Sequence, residues 1–402
     1  MLRILCIALL MLAVIRDGSA QDNWQLIDAI DASELFGESV RGITLSPDGM
    51  LVAATNGEGI CVAKVATPEV TCYPLPDAFG GRVAPRAGYN PLVWSPDSTS
   101  IALTEDFYMY FYESDLWVLD TQSGTYTNRT DDGVGQFNIG EVDDGSATLD
   151  YLPAYAPNGD LYFFRSQRAG GDLTLALYHL AADEDTPELI SDLTGTLPAL
   201  SVFYSPAVSP DGTQIAFPVQ GIDRDDPGNG LWLVDLATGE ARQLTDSTAG
   251  MPETEQARAP FTMNPVWLPD SSGIVFETLS PERVFARSGH NYLYVEVASG
   301  EVTPLVDVPL PEDEDSEADL AIRIPRDGAL SADGTVFAYL HYEDIPTTEA
   351  QITLIQLPPG ETAPIVITNV EHISFPYSVP NPRMSANGKA LLGGWLYTLG
   401  QP

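Results

Sequence analysis

The chain has 402 residues, a formal net charge of −39 and an apolar content of 44%. That apolar share excludes an intrinsically disordered chain, and so negative a surface excludes long-range attraction to nucleic acid or anionic membranes. With 34 glycines, 32 prolines and Lys64 and Lys389 as its lysines, it reads as a turn-rich protein with an acidic coat. The coat is read as a solubility device, with calcium or a basic partner as the sharper alternative.

Residues 1–20, "MLRILCIALLMLAVIRDGSA", combine Arg3, an apolar run from Ile4 to Ile15 and small residues at Gly18 and Ala20. This is the pattern of a secretory signal peptide cleaved after Ala20, and the run is too short to span a bilayer. An exported protein, periplasmic or extracellular, is expected, with residues 23–402 forming one domain. "NWQLIDAI" at 23–30 reads as a lone strand.

From Ile43 onward one pattern repeats. "ITLSPDGMLVAAT" is followed by "LVWSPDSTSIALT", "PAYAPNGDLYFFR", "PAVSPDGTQIAFP", "PVWLPDSSGIVFE", "GALSADGTVFAYL" and "PRMSANGKALLGG". The marker position falls at Ser46, Ser95, Ala156, Ser209, Leu268, Ser331 and Ser385, about 56 residues apart. Each copy is two strands around a tight turn, because Pro presets φ, Asp or Asn bonds its own backbone and Gly accepts positive φ. A second hairpin follows most copies, as in "LWVLDTQSGTYTNRT" at Leu116 and "LWLVDLATGEARQLT" at Leu231.

Two hairpins make a four-stranded antiparallel sheet with two faces to bury, and radial stacking buries both. The fold class is therefore all-β, a β-propeller of seven four-stranded blades, with six or eight as alternatives. The last copy has room for about three strands, so the N-terminal strand is expected to complete the last blade. In the first blade, Cys61 and Cys72 flank a turn and face each other across a hairpin, which in an oxidising compartment predicts a disulfide.

The succession P-x-W-S-P-D-G, I-A-F, L-W-V-D-x-x-T-G, L-T resembles the TolB-type, WD-repeat-like propellers of exported bacterial proteins. It is also similar to the propeller half of dipeptidyl-peptidase-type serine peptidases. The resemblance covers about residues 23 to 402 and implies a ring architecture that hosts many functions.

Antiparallel order puts the short turns on one face and the long connections on the other, where a scaffold carries binding residues. Arg82, Arg86, Arg224, Arg258, Arg287, Arg323 and Arg326 lie in or beside these loops and could grip an anion. Tyr108 and Tyr110 of "EDFYMYFYESD" offer stacking surfaces. Calcium is a weak prospect at "DRDDPGNG" and "PEDEDSEADL", which lack the standard loop spacing, and the four histidines are scattered. Neither a metal nor a cofactor site is therefore expected. "NRT" at Asn128 is a glycosylation sequon that matters only in a host that modifies such sites.

A Gly-x-Ser-x-Gly elbow, a His-Glu-x-x-His pair and a hydrolase domain are absent from the sequence. The expectation is thus a non-catalytic, monomeric ring that binds a protein, peptide or envelope component through its long-loop face. A carbohydrate- or ester-active enzyme with its site at the central funnel is the alternative.

Overall fold

The computed structural model describes residues 24–400 except 33, 37–39, 57, 68, 80–91, 106–113, 134–143, 199–200, 222–225, 250–260, 280–290, 307–325, 343–348, 361, 372–382 and 393–394. Seven antiparallel sheets form a ring, a seven-bladed β-propeller. Blades 1 to 6 span 41–74, 93–128, 144–192, 207–246, 261–306 and 326–371. Apart from a 3-10 turn at Asp77–Phe79, every described element is a strand. No helix among the described residues is long and apolar enough to cross a membrane.

Blade 7 is completed as the sequence predicts. Its strands Lys389–Leu392 and Trp395–Gly400 are joined on the outside by Gln25–Asp31, and Arg383, ahead of them, forms a parallel bridge to Leu330 on the innermost strand of blade 6. Closing the ring with the first strand gives Tyr397 and Leu399 apolar neighbours on both sides. Trp24, Leu26 and Ala29 pack against the cluster that also holds Ile352, Leu354 and Val370 of blade 6.

The core is not one globule but a series of apolar seams between consecutive blades. Ala216, Leu231, Phe276 and Leu293 fill the seam between blades 4 and 5, and Phe164, Phe217 and Tyr151 that between blades 3 and 4. Alternation along each strand sends odd and even residues to opposite seams, so both faces of every blade are apolar.

The innermost strands are bulged four residues before the marker position. Gly42, Leu152 and Asn264 there have φ of 60°, 53° and 48°, and the pairing register slips at each site. Blade 6 slips at the equivalent place, between Arg326 and Gly328. A bulge adds twist to the bulged strand, which suits strands that line the ring's centre.

Cys61 and Cys72 form the predicted disulfide, joining directly opposite residues on the two outer strands of blade 1.

Candidate functional site

The two faces of the ring treat their carboxylates differently. On the short-turn face the motif closes on itself. The hydroxyls of Ser46, Ser95, Ser209 and Ser331 donate to Asp48, Asp97, Asp211 and Asp333 at 2.6–2.7 Å. Each serine oxygen then accepts the backbone N–H five residues on, at 2.9 Å. The Ser95 hydroxyl holds the Asp97 carboxyl below the usual range, and the Ser209 hydroxyl does the same for Asp211. Where Gly of the motif is replaced, Ser98 and Ser271 adopt φ of 62° and 60°. Their hydroxyl oxygens accept the Asp48 and Asp211 amides of the neighbouring blade at 3.2 Å, stitching turn to turn.

The opposite end of the blade 2–3 seam holds carboxylates under strain of another kind. Ser114, just ahead of strand Leu116–Asp120, forms a parallel bridge to Leu149 on the innermost strand of blade 3. Its amide donates to the Thr148 carbonyl at 3.2 Å and accepts back through its carbonyl from Asp150 at 2.8 Å. This splice carries Asp115 against Asp150. Asp150, fully buried, takes both oxygens to Arg165 at 2.6 Å, and the guanidinium lies over the Phe163 and Tyr178 rings at 5.6 and 4.8 Å. The two-pronged geometry is that of an ionised pair: burial pushes the Asp150 carboxyl upward while Arg165 pulls against it.

Among the described residues, no cation bonds Asp115. Its carboxylate accepts the Asn128 amide at 2.7 Å and the Thr130 hydroxyl at 3.4 Å, and it is 4% exposed. Burial pushes its pKa up to about 6; the Asn128 bond opposes this, while the charges of Asp150, Asp132 and Asp131 add to it. Asp132 spends one oxygen on the amide and hydroxyl of Thr148 at 3.1 and 3.0 Å. The result is a desolvated acidic group that changes charge near neutral pH, the property a general acid or base needs. Blade 3 extends here through the long strands Asp144–Tyr155 and Leu161–Ala169.

A smaller polar site lies between blades 5 and 6. Glu277, 2% exposed, accepts the Asn264 amide and the Tyr292 hydroxyl, both at 2.8 Å. Gly328 lets Phe337 and Tyr292 close over it, since a Cβ there would overlap the Phe337 ring.

Of the residues singled out in the sequence, Arg82, Arg86, Arg224, Arg258, Arg287, Arg323, Tyr108 and Tyr110 lie outside the described residues, as do residues 1–20. Arg326 is placed in the innermost strand of blade 6, paired through its backbone with Leu340. Asn128 of the sequon has its amide engaged by Asp115. Among the described residues no group of three His, Cys, Asp or Glu side chains could hold a metal ion. Asp115, Asp150 and Arg165 were not anticipated. A signal existed for Arg165, which sits two residues beyond Phe163 in a β-run, on the face that alternation buries.

No family model matches the chain, and no curated protein matches it. Solved structures do. An oligogalacturonate lyase from Vibrio parahaemolyticus is 11% identical over 88% of this chain and 86% of its own, with a TM-score of 0.51. A chain of the mitotic checkpoint complex is 12% identical over 100% and 99%, with a TM-score of 0.51. A TolB-assigned structure from Agrobacterium tumefaciens is 13% identical over 91% of each, with a TM-score of 0.38. The protein belongs to the class of seven-bladed β-propellers. Its repeats resemble the TolB type, and the likeness is one of fold.

One expectation is corrected. The sequence reading made the ring non-catalytic because hydrolase motifs were missing, yet the same architecture is found in a lyase. Missing motifs of serine hydrolases and zinc peptidases bear on those chemistries alone and leave others open.

Proposed function

We propose that the protein is an exported recognition ring that takes a protein, peptide or envelope component on its long-loop face. The observation that carries this reading is the contrast between the faces. Short-turn carboxylates are consumed by their own turns, whereas the end to which the antiparallel strand order assigns the long connections holds Asp115, a buried carboxyl pushed up to about 6. Export is supported by the signal-like leader and by the Cys61–Cys72 disulfide. The test is affinity capture from native envelope or culture fluid, repeated with Arg323→Ala and Arg326→Ala. A species captured by the native ring and lost from the variant supports anion-directed recognition. Equal capture removes those two arginines from the reading.

A second reading is favoured by Asp115. A buried carboxyl titrating at about 6 on a ring whose structural likeness includes an oligogalacturonate lyase suits acid–base chemistry on a polysaccharide. Incubation with oligogalacturonate, followed by measurement of chain length, tests it. Cleavage by the native protein that is abolished by Asp115→Asn supports it, and intact oligomers with both proteins rule that substrate out.

A further inference from the structure

Blade 4 and blade 5 meet through an apolar seam, Ala216 and Leu231 on one side and Phe276 and Leu293 on the other. At its long-loop end the seam turns polar. Thr278 lies two residues beyond Phe276 on the same strand, and Thr262 stands opposite Thr278 in register, so both face blade 4. From blade 4, Thr245 stands opposite Leu231 and therefore faces blade 5. Gln220 follows the strand Gln214–Val219 directly, four residues beyond Ala216, and its backbone N–H donates to the Ser201 carbonyl at 2.7 Å.

Register and alternation thus assign five side-chain oxygens to the long-loop end of this seam: Oγ of Ser201, Oε1 of Gln220 and Oγ1 of Thr245, Thr262 and Thr278. All five are buried, their residues at most 7% exposed, and all five lack a hydrogen-bond partner. An orphaned buried hydroxyl is costly, and interiors rarely tolerate several together. Thr262 and Thr278 are cross-strand neighbours, yet their hydroxyls do not bond each other.

We propose that this end of the blade 4–5 seam is a binding site for ordered water, a small cluster that bridges the two blades through these oxygens. The chemistry fits. Hydroxyls donate and accept, the amide oxygen accepts, and a water with three such partners is well held. The cluster contains no carboxylate to balance a bound cation. Such water replaces side-chain packing at the root of the connections following Gln220 and Ser247. The blade 2–3 seam is closed instead by direct backbone bonds from Ser114 to Thr148 and from Asp150 to Ser114.

The test is the melting temperature of the Thr262→Val, Thr278→Val double variant. Valine keeps the shape of threonine and removes the hydroxyl, so a water-bridged site loses its anchors and the midpoint falls by a few degrees. A dry site would instead be relieved of two orphaned groups, and a midpoint that stays or rises overturns the proposal. Should the variant fail to fold, a high-resolution crystal structure of the native protein decides. Solvent peaks within about 2.7–3.2 Å of Gln220 Oε1 and Thr278 Oγ1 support it, and empty density there overturns it. A melting temperature that depends on sodium against choline at equal ionic strength would assign the site to a cation and also overturn it.

Discussion

Asp28 near the beginning of the chain stands directly opposite Thr398 near its end, on adjacent antiparallel strands of blade 7. The pairing turns an open row of sheets into a closed ring, and the outer edge of strand Trp395–Gly400 is covered by it. A disulfide engineered through Asp28→Cys and Thr398→Cys should form within one molecule, read as a single cross-linked peptide pair by mass spectrometry. Only links between molecules, or none, would mean that the ring closes some other way.

Asp150 and Arg165 are worth more as a pair than apart. Asp150→Asn leaves the guanidinium buried beside Phe163 and Tyr178 without its charge partner, at a cost of about 3–5 kcal/mol. Replacing both, as Asp150→Asn with Arg165→Met, should recover much of that loss. Chemical denaturation of the two variants measures it. A double variant no more stable than the single one would show that the pair's geometry, not its charge balance, supports the seam.

Asp115 gives the protein a pH dependence of unusual sign. Its folded-state carboxyl, raised to about 6 by burial, binds a proton more tightly than in the unfolded chain. Its contribution to stability is therefore present at low pH and lost as pH rises through about 6. The shift corresponds to about 3 kcal/mol at neutral pH. Asp97 and Asp211 run the other way: their lowered carboxyls stabilise at neutral pH, and that contribution fades as pH falls through their folded-state values. Asp115→Asn should raise the melting temperature more at pH 8 than at pH 5. An equal change at both would place the Asp115 carboxyl in an ordinary environment.

How far the sequence could be read depended on repetition. The seven marker turns from Ser46 to Ser385 each name their own geometry through local hydrogen bonds, so their strands were legible without tertiary knowledge. The fit of "NWQLIDAI" to the unfinished last blade followed from counting strands. Features that depend on two blades at once were not legible: the Ser114–Leu149 splice and the approach of Asp115 to Asp150. No local pattern marks a residue whose partner is a blade away, and the bulges at Leu152 and Asn264 carry no glycine to announce their positive φ. Arg165 lies in a strand rather than a loop, and its importance comes from its place over the Phe163 and Tyr178 rings beside Asp150.

The division of labour between the two faces is tested most directly by changing one face at a time and measuring capture of ligand from envelope or culture fluid. Replacing the 250–260 and 280–290 connections with short Gly-Ser links should abolish capture while the melting temperature holds. Asp97→Ser, Asp211→Ser and Asp333→Ser together, on the short-turn face, should leave capture intact even though they weaken the fold. Capture that survives the first change and disappears with the second, in protein still folded, would contradict the account.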